Sequence, residues 1–140
     1  MAQPALQRGC VFGAEHDTSY DFWVSAEPRW KRCLAFNASP PEVTEEVHYF
    51  LSTSQVNFFR EHPQFGTEVL IFPANAYPFF PVETAVDFRD LRTVPMLKLQ
   101  SKGLRVLGHL SAHDIGRCVA IIVASRLLEN RAKQKLGLLS

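Results

Sequence analysis

Only one stretch of this chain has the length and the periodicity of a long helix, and it lies near the C-terminus. Ser111 has the properties of an N-cap, with the acidic Asp114 three residues later, as in a relative of the capping box. Apolar residues then recur at helical spacing at Ile115, Val119, Ile122, Val123 and Leu127. A single apolar stripe of about four turns must be covered by a sheet or a barrel, which the rest of the chain is expected to supply.

The other apolar segments are short and are separated by Pro, Gly, Asn and Ser, which favours short strands. We predict strands at residues 9–12, 32–36, 46–51, 68–72, 84–88, 91–94 and 104–108. Residues 21–24 either extend the first strand or form the far arm of a hairpin over a polar loop at 14–19. One short helix is expected after the third strand, with Ser54 as its N-cap, Val56 and Phe59 on its apolar face and Pro63 at its end.

This order of elements predicts a mainly β protein: a small closed barrel with a short inserted helix and a long C-terminal helix. A parallel crossover needs a dozen or more residues, and only the last helix is that long. The length of 140 residues is typical of one domain. We therefore expect a single domain over residues 1–140, with a frayed tail at 131–140.

The composition is that of an ordinary globular protein, with 46% apolar residues and a formal net charge of +1. This charge predicts no general basic surface for nucleic acid, although it is compatible with a local basic patch. No segment approaches the roughly 18 apolar residues of a membrane span, and the first ten residues do not resemble a secretory signal. We therefore expect a cytoplasmic protein without a membrane partner.

The three cysteines, Cys10, Cys33 and Cys118, are far apart and have no paired spacing. This arrangement argues against a disulfide framework and against a zinc site, and each cysteine is expected to be a small, half-buried apolar residue. The five histidines are scattered and do not have the i, i+4 spacing of metal ligands. Neither a metal nor a cofactor is expected.

The residues best suited to chemistry are Arg32, which opens a predicted strand, and the hydroxyl run Ser52, Thr53 and Ser54. That run lies where a strand turns into a short helix, and a helix start offers unpaired N–H groups to a phosphate. A guanidinium nearby could hold two phosphate oxygens at once. Such a constellation suits a phosphodiester that gains charge in its transition state. The alternative is that a serine merely caps the helix and that Arg32 merely solubilises a strand end.

The chain also resembles the MazF/PemK family of toxins, through short motifs that occur in the same order. Residues 8–9 lie where that family begins its first strand with Gly-Asp, and residues 31–37, KRCLAFN, resemble its Arg-Pro-x-x-Val-x-Ser strand. Residues 49–55, YFLSTSQ, are similar to its strand ending in Thr-Thr-Gln or Thr-Ser. Residues 90–95, DLRTVP, are similar to its Asp-Gln-Ile-Arg-Thr-Val segment, and residues 108–111, GHLS, to its Gly-x-Leu-Ser helix entry.

The resemblance implies an SH3-like barrel, a homodimer and a metal-independent endoribonuclease that acts on single-stranded RNA. It also implies an antitoxin partner whose extended segment fills the RNA groove. Carried over by position, Arg32 would be the clamp of the transition state and a candidate general acid, and Thr53 would orient the scissile phosphate, with Ser52 and Ser54 as alternatives in register. The nucleophile would be the 2′-hydroxyl of the RNA itself.

Further residues are candidates for contacts with the substrate. His16 is attractive as a base because imidazole titrates near neutrality, although a loop histidine can equally be only solvated. Gln55 belongs to the hydroxyl motif, and Lys98 begins a loose basic run with Lys102 and Arg105 that either contacts phosphates or faces solvent. Tyr77 and Phe79 lie in an aromatic, Pro-rich segment whose exposed members could stack on bases or form a protein interface.

The sequence departs from the family pattern at three places. Cys10 replaces the acid after the first glycine, Cys33 replaces the proline after the arginine, and residues 16–20 replace the usual loop before the second strand. Two other functions therefore stay open. One is a catalytically silent SH3-like barrel that binds a protein or peptide through its aromatic segment, and the other is a toxin on the same barrel that binds DNA gyrase and cuts nothing.

Overall fold

The computed structural model describes residues 6–16 and 29–139 of the chain. These residues form seven strands in one antiparallel sheet, four α-helices and one 3₁₀ helix. The mainly β prediction fits this fold broadly, although the helices contribute about as many residues as the strands.

The strands follow the predicted segments closely. They are β1 (Cys10–His16), β2 (Arg29–Ala35), β3 (Glu46–Thr53), β4 (Val69–Phe72), β5 (Thr84–Asp87), β6 (Arg92–Pro95) and β7 (Arg105–His109). The helices are α1 (Val56–Glu61), the 3₁₀ helix (Pro63–Glu68), α2 (Met96–Ser101), α3 (Ala112–Ala124) and α4 (Asn130–Lys135). The predicted loop at 14–19 is wrong for residues 14–16, which belong to β1, and the segment 21–24 lies outside the described residues.

The sheet has the strand order β4-β5-β3-β2-β1-β7, and β6 is a second partner of β3. The first half of β3, from Glu46 to Tyr49, pairs with β6, whereas Ser52 and Thr53 pair with β5. All of these pairings are antiparallel. β3 is therefore the strand through which the two ends of the sheet are joined.

Apolar side chains cover both faces of the central strands. On one face, Val11, Leu34 and Phe50 lie opposite one another across β1, β2 and β3. They belong to a first core that α3, α4 and the loop after β4 complete with Ile122, Leu136 and Phe80. On the other face lies a second core, whose buried members are Leu6, Cys10, Phe12, Ala14, Cys33, Ala35, Val47, Tyr49, Met96 and Leu99. Strands that are buried on two faces read as continuous apolar runs, as they do here.

The beginning of α3 agrees with the sequence pattern, whereas its end does not. Ser111 is the N-cap, and its hydroxyl accepts a hydrogen bond from the Asp114 amide at 3.2 Å. The helix ends at Ala124, after 13 residues, so the expected single long helix is shorter than the apolar pattern indicated.

The segment expected to be a frayed tail contains a packed helix instead. α4 ends at Lys135, and it is followed by its C-cap, the fully buried Leu136, and by Gly137, which has a φ of 71°. The amide of Leu138 donates to the carbonyl of Lys133, and the amide of Gly137 donates to the carbonyl of Gln134. These two bonds are those of a Schellman motif, which explains why the helix ends there.

The start of α1 also differs from the expectation. Ser54 is not the N-cap; that position is taken by Gln55, whose side chain makes no capping hydrogen bond. β3 extends two residues further than predicted and ends at Thr53, whose Oγ1 accepts from the Gln55 amide at 3.1 Å. Val56 and Phe59 are buried against β4 and β5, as their spacing indicated. None of the helices within 6–16 and 29–139 is long and apolar enough to span a membrane.

Candidate functional site

A row of four residues, which we call the polar row, crosses four strands at the edge of the first core and consists of Arg105, Gly13, Arg32 and Ser52. Gly13 of β1 is the ladder partner of Arg32 in β2 and of Arg105 in β7. Residues that lie opposite one another in an antiparallel ladder point to the same face of the sheet. Both arginines therefore leave the sheet on the face of the first core, with a residue that has no side chain between them. Both are exposed, whereas Gly13 is buried.

Ser52 continues this row on β3. The pairing of Leu34 with Phe50 and of Cys33 with Leu51 places Ser52 opposite Arg32 when it is extended by one residue. The Ser52 hydroxyl donates to the carbonyl oxygen of Arg32 at 2.9 Å, which supports that register. A hydrogen bond therefore joins β2, which carries Arg32, to β3, which carries Ser52, at the candidate site.

The pattern of the strands explains where the row forms. Val11, Leu34 and Phe50 are buried in the first core, and two residues further along the same face the chain has Gly13, Arg32 and Ser52. Because alternate residues of a strand share a face, each strand passes from apolar to polar on one face within a single step. The row is therefore the rim of the first core.

Register separates Ser52 from Thr53, which the sequence alone left as alternatives. Successive side chains of a strand point to opposite faces, so Thr53 leaves β3 on the face away from Arg32. Thr53 is paired with Ala85, a buried residue of the small cluster under α1, and its hydroxyl oxygen holds the Gln55 amide. The structure brings Ser52 to Arg32 and does not bring Thr53 there.

Ser54 and Gln55 belong to a different, acidic surface. They line a shallow cavity of about 420 Å³ together with Glu61 and Glu83. Glu83 is paired with Arg60, and this exposed pair lowers the pKa of the Glu83 carboxyl below its ordinary value. Two acids beside the hydroxyl and the amide make this cavity a poor place for a phosphate.

Tyr77 and Phe79 stack on one another, with ring centroids 4.9 Å apart. The Tyr77 hydroxyl accepts from the Ser111 amide at 2.9 Å and donates to Asp114 Oδ2 at 2.5 Å. Phe79 covers Gly108 of β7 so closely that a Cβ at that glycine would lie 2.7 Å from its ring. The aromatic loop is therefore anchored to the start of α3 and to β7.

The loop also lies close to the polar row. Gly108, under Phe79, pairs with Val11, which is two residues from Gly13 along β1. Phe79 and Tyr77 are each partly exposed, so the loop presents aromatic surface over β7, the strand that carries Arg105. The Tyr77 hydroxyl already has hydrogen-bond partners within the fold, so Tyr77 can offer a ligand only its ring, as Phe79 does.

The remaining predicted residues lie elsewhere or are not described. Lys98 is on α2, whose Met96 and Leu99 pack into the second core, so Lys98 lies on the other side of the sheet from Arg32. His16 is the last residue of β1, and its side chain is outside the described part of the structure. Neither residue adds a described group to the polar row.

Arg89 is another arginine with several partners, which the sequence did not indicate. Its guanidinium makes a two-point ion pair with Asp87 and lies 4.3 Å from the centroid of the Phe65 ring. Both interactions use the cation within the fold, and the hydrogen bond to Asp87, which outweighs burial, raises the pKa of Arg89. This arginine serves to hold the 3₁₀ helix against β5.

The cysteines pack among apolar residues, as expected, but they are fully buried and not half-buried. Cys10, Cys33 and Cys118 are buried free thiols. Burial raises the pKa of Cys10 to about 11 and the pKa values of Cys33 and Cys118 to about 12. Thiolates are therefore scarce at neutral pH, and none of the three is suited to nucleophilic chemistry.

A scan of the chain against protein-family models finds no match, and a search of curated proteins finds no relative.

Proposed function

We propose that this chain is a metal-independent endoribonuclease similar to the MazF/PemK toxins, with Arg32 and Ser52 at the reacting phosphate. The observation that carries the proposal is the register of β2 and β3, supported by the hydrogen bond from the Ser52 hydroxyl to the main-chain carbonyl of Arg32: it places a hydroxyl and an exposed arginine on one face at the rim of the first core. Thr53, which the resemblance suggests for the phosphate, is replaced in this role by Ser52 because of the register of β3.

We further propose that the sheet closes as an SH3-like barrel. β3 pairs with β6 along its first half and with β5 at its end, which is how one strand turns a corner between two sheets of a small barrel. The bulge in the pairing of β1 with β7, after Val11, adds local twist at the other end of the sheet. A homodimer and an antitoxin segment lying over the polar row complete the proposal by resemblance.

The chemistry needs no nucleophile from the protein. The 2′-oxygen of the RNA attacks the neighbouring phosphorus, the bond from phosphorus to the 5′-oxygen breaks, and the products are a 2′,3′-cyclic phosphate and a 5′-hydroxyl. The 2′-hydroxyl loses a proton and the 5′-oxygen gains one, so the step balances through water. The transition state carries extra negative charge on the phosphate oxygens, which a fixed guanidinium stabilises.

Each residue has a distinct task in this step. Arg32 binds two phosphate oxygens with its planar fork of N–H groups. The Ser52 hydroxyl, which donates to the Arg32 carbonyl, can rotate to donate to a phosphate oxygen while its own position remains held by β3. The charge of its guanidinium makes Arg32 an electrostatic clamp for the transition state.

The test is incubation of the purified chain with a long, mixed-sequence single-stranded RNA in EDTA, beside Arg32→Ala and Lys98→Ala variants. We expect defined fragments ending in 2′,3′-cyclic phosphate from the wild type and from Lys98→Ala, whose residue lies on the other side of the sheet. Arg32→Ala should leave the RNA intact with an unchanged circular dichroism spectrum. Intact RNA in all three samples would reject the nuclease and favour the binding barrel, whose partner binding should fail when Phe79 is truncated.

A further inference from the structure

Arg105 occupies a position that the proposed function has not used. It lies two strands from Arg32, on the same face, because both are partners of Gly13. Neighbouring strands are about 4.8 Å apart, so the two backbones are about 10 Å apart across the face. The side chain of Arg105 is exposed, and the only strand between the two arginines contributes a glycine to the row.

We propose that Arg105 is a positioning residue that binds a phosphate next to the scissile one, so that the RNA backbone crosses the sheet from β2 to β7. This inference rests on the proposed function, in which Arg32 holds the scissile phosphate. Two guanidiniums on one face, with no side chain between them, form a track for a polyanion rather than a site for one isolated anion.

The aromatic loop gives this track a preference for single strands. Phe79 lies over Gly108, directly beyond Arg105 on the same face, and is held there by its stack on Tyr77. A base between two bound phosphates can contact the partly exposed ring of Phe79 only if it is unpaired. Arg105 and Phe79 together therefore recognise backbone charge and a free base, without reading sequence.

The test uses a non-cleavable RNA in which every 2′-hydroxyl is methylated, so that binding is measured without chemistry. The dissociation constant of the wild type is measured by fluorescence anisotropy from 50 to about 300 mM salt. In Arg105→Gln we expect affinity to fall about tenfold at low salt and the slope of log K against log salt to become less negative by about 0.7, the loss of one phosphate contact. Lys98→Gln removes the same charge from the other side of the sheet and should leave the slope unchanged.

Cleavage kinetics then separate positioning from catalysis. With cleavable RNA, Arg105→Gln should raise KM by about the same factor as the dissociation constant and leave kcat within about twofold, whereas Arg32→Gln should abolish turnover.

A slope of log K against log salt in Arg105→Gln equal to that of the wild type would overturn the inference, even if the wild type cleaves RNA. A reduced slope in a chain that cuts nothing would reject the nuclease and keep the phosphate contact. Absence of binding to RNA by the wild type at low salt would reject both.

Discussion

Ser52 and Thr53 are neighbours in the chain, yet their side chains leave β3 on opposite faces. Ser52 lies on the face of the first core and donates to the main-chain carbonyl of Arg32, and Thr53 holds the Gln55 amide at the start of α1. We expect Ser52→Ala to lower kcat/KM about tenfold to a hundredfold, because a donor to the charged transition state is lost. Thr53→Val should leave kcat/KM within about twofold and lower the free energy of unfolding by about 1 kcal/mol.

The two measurements are cleavage rates and urea denaturation, made on both variants. A large loss of activity in Thr53→Val together with an unchanged rate in Ser52→Ala would contradict the assignment of faces. In that case the register at the end of β3 would have to differ from the one observed.

The kinds of residue at the candidate site, an arginine and hydroxyls, could be predicted from the sequence. Which hydroxyl residue and which second arginine belong to it could not. Arg32 and the hydroxyl run were found because a guanidinium and hydroxyls at strand ends suit phosphate chemistry. The choice among Ser52, Thr53 and Ser54 depends on the exact end of β3, which lies two residues beyond the predicted one. Arg105 joins the site only through the pairing of β1 with β7, a contact between residues about ninety positions apart that no local pattern shows.

At the scale of elements, the last helix depends on a buried lysine. Lys133 of α4 donates from Nζ to the carbonyl oxygens of Val123 at 3.1 Å and of Ser125 at 2.7 Å, at the end of α3. These carbonyls have no partner within a helix that ends there, so the ammonium satisfies them. We expect Lys133→Met to lower the free energy of unfolding by about 2 kcal/mol in urea denaturation, since buried acceptors would be left unpaired.

The control for this variant is Lys135→Met, an exposed lysine of the same helix, which should change stability by less than about 0.5 kcal/mol. Equal stabilities of the two variants would show that α4 does not hold the end of α3.

The contact between the aromatic loop and α3 has a dependence on pH. Partial burial favours a higher pKa for Asp114, but hydrogen bonds from the Tyr77 hydroxyl and the Arg117 guanidinium outweigh it and lower the pKa below its ordinary value of 3.8. A carboxyl whose pKa is lower in the folded state adds stability at pH above its unfolded pKa. That contribution is lost as the pH falls through the folded pKa.

We therefore expect Asp114→Asn to be less stable than the wild type at pH 7 and the difference to disappear as the pH is lowered through and below 3.8. Urea midpoints measured between pH 7 and about pH 2.5 give this comparison, with the exposed Glu61→Gln as a matched control. A difference that stays constant with pH would mean that the variant acts through shape and not through the charge of the carboxylate.

The elements that could not be predicted are those that tertiary packing stabilises and that have no local sequence pattern. The strands were visible because each is a short apolar run between breakers, and the N-cap Ser111 was visible because capping is local. α2 and α4 are only six residues each, which is too short for a periodic pattern. The glycines that follow them, Gly103 and Gly137, both have positive φ and were the available signals.

At the scale of the whole molecule, one sheet separates two cores that share its strands. Phe12 and Cys33 face one core, while Val11 and Leu34, their neighbours in the chain, face the other. Because β1, β2 and β3 contribute to both cores, loss of either core removes the packing of one face of the same strands. This arrangement favours the expected single domain, in which both cores unfold together.

The three cysteines report on this cooperativity from both sides of the sheet. Cys118 lies in the first core, and Cys10 and Cys33 lie in the second. Burial both hides these thiols and raises their pKa values to about 11 for Cys10 and about 12 for Cys33 and Cys118, so native protein should react with iodoacetamide very slowly at pH 8.

Pulses of reagent along a urea gradient, with peptide mass spectrometry, give a midpoint of labelling for each cysteine. We expect the three midpoints to coincide, since one cooperative transition exposes all of them. Labelling of Cys10 and Cys33 at a clearly lower urea concentration than Cys118 would instead mean that the second core opens by itself, leaving α3 and the first core as a separate unit of folding.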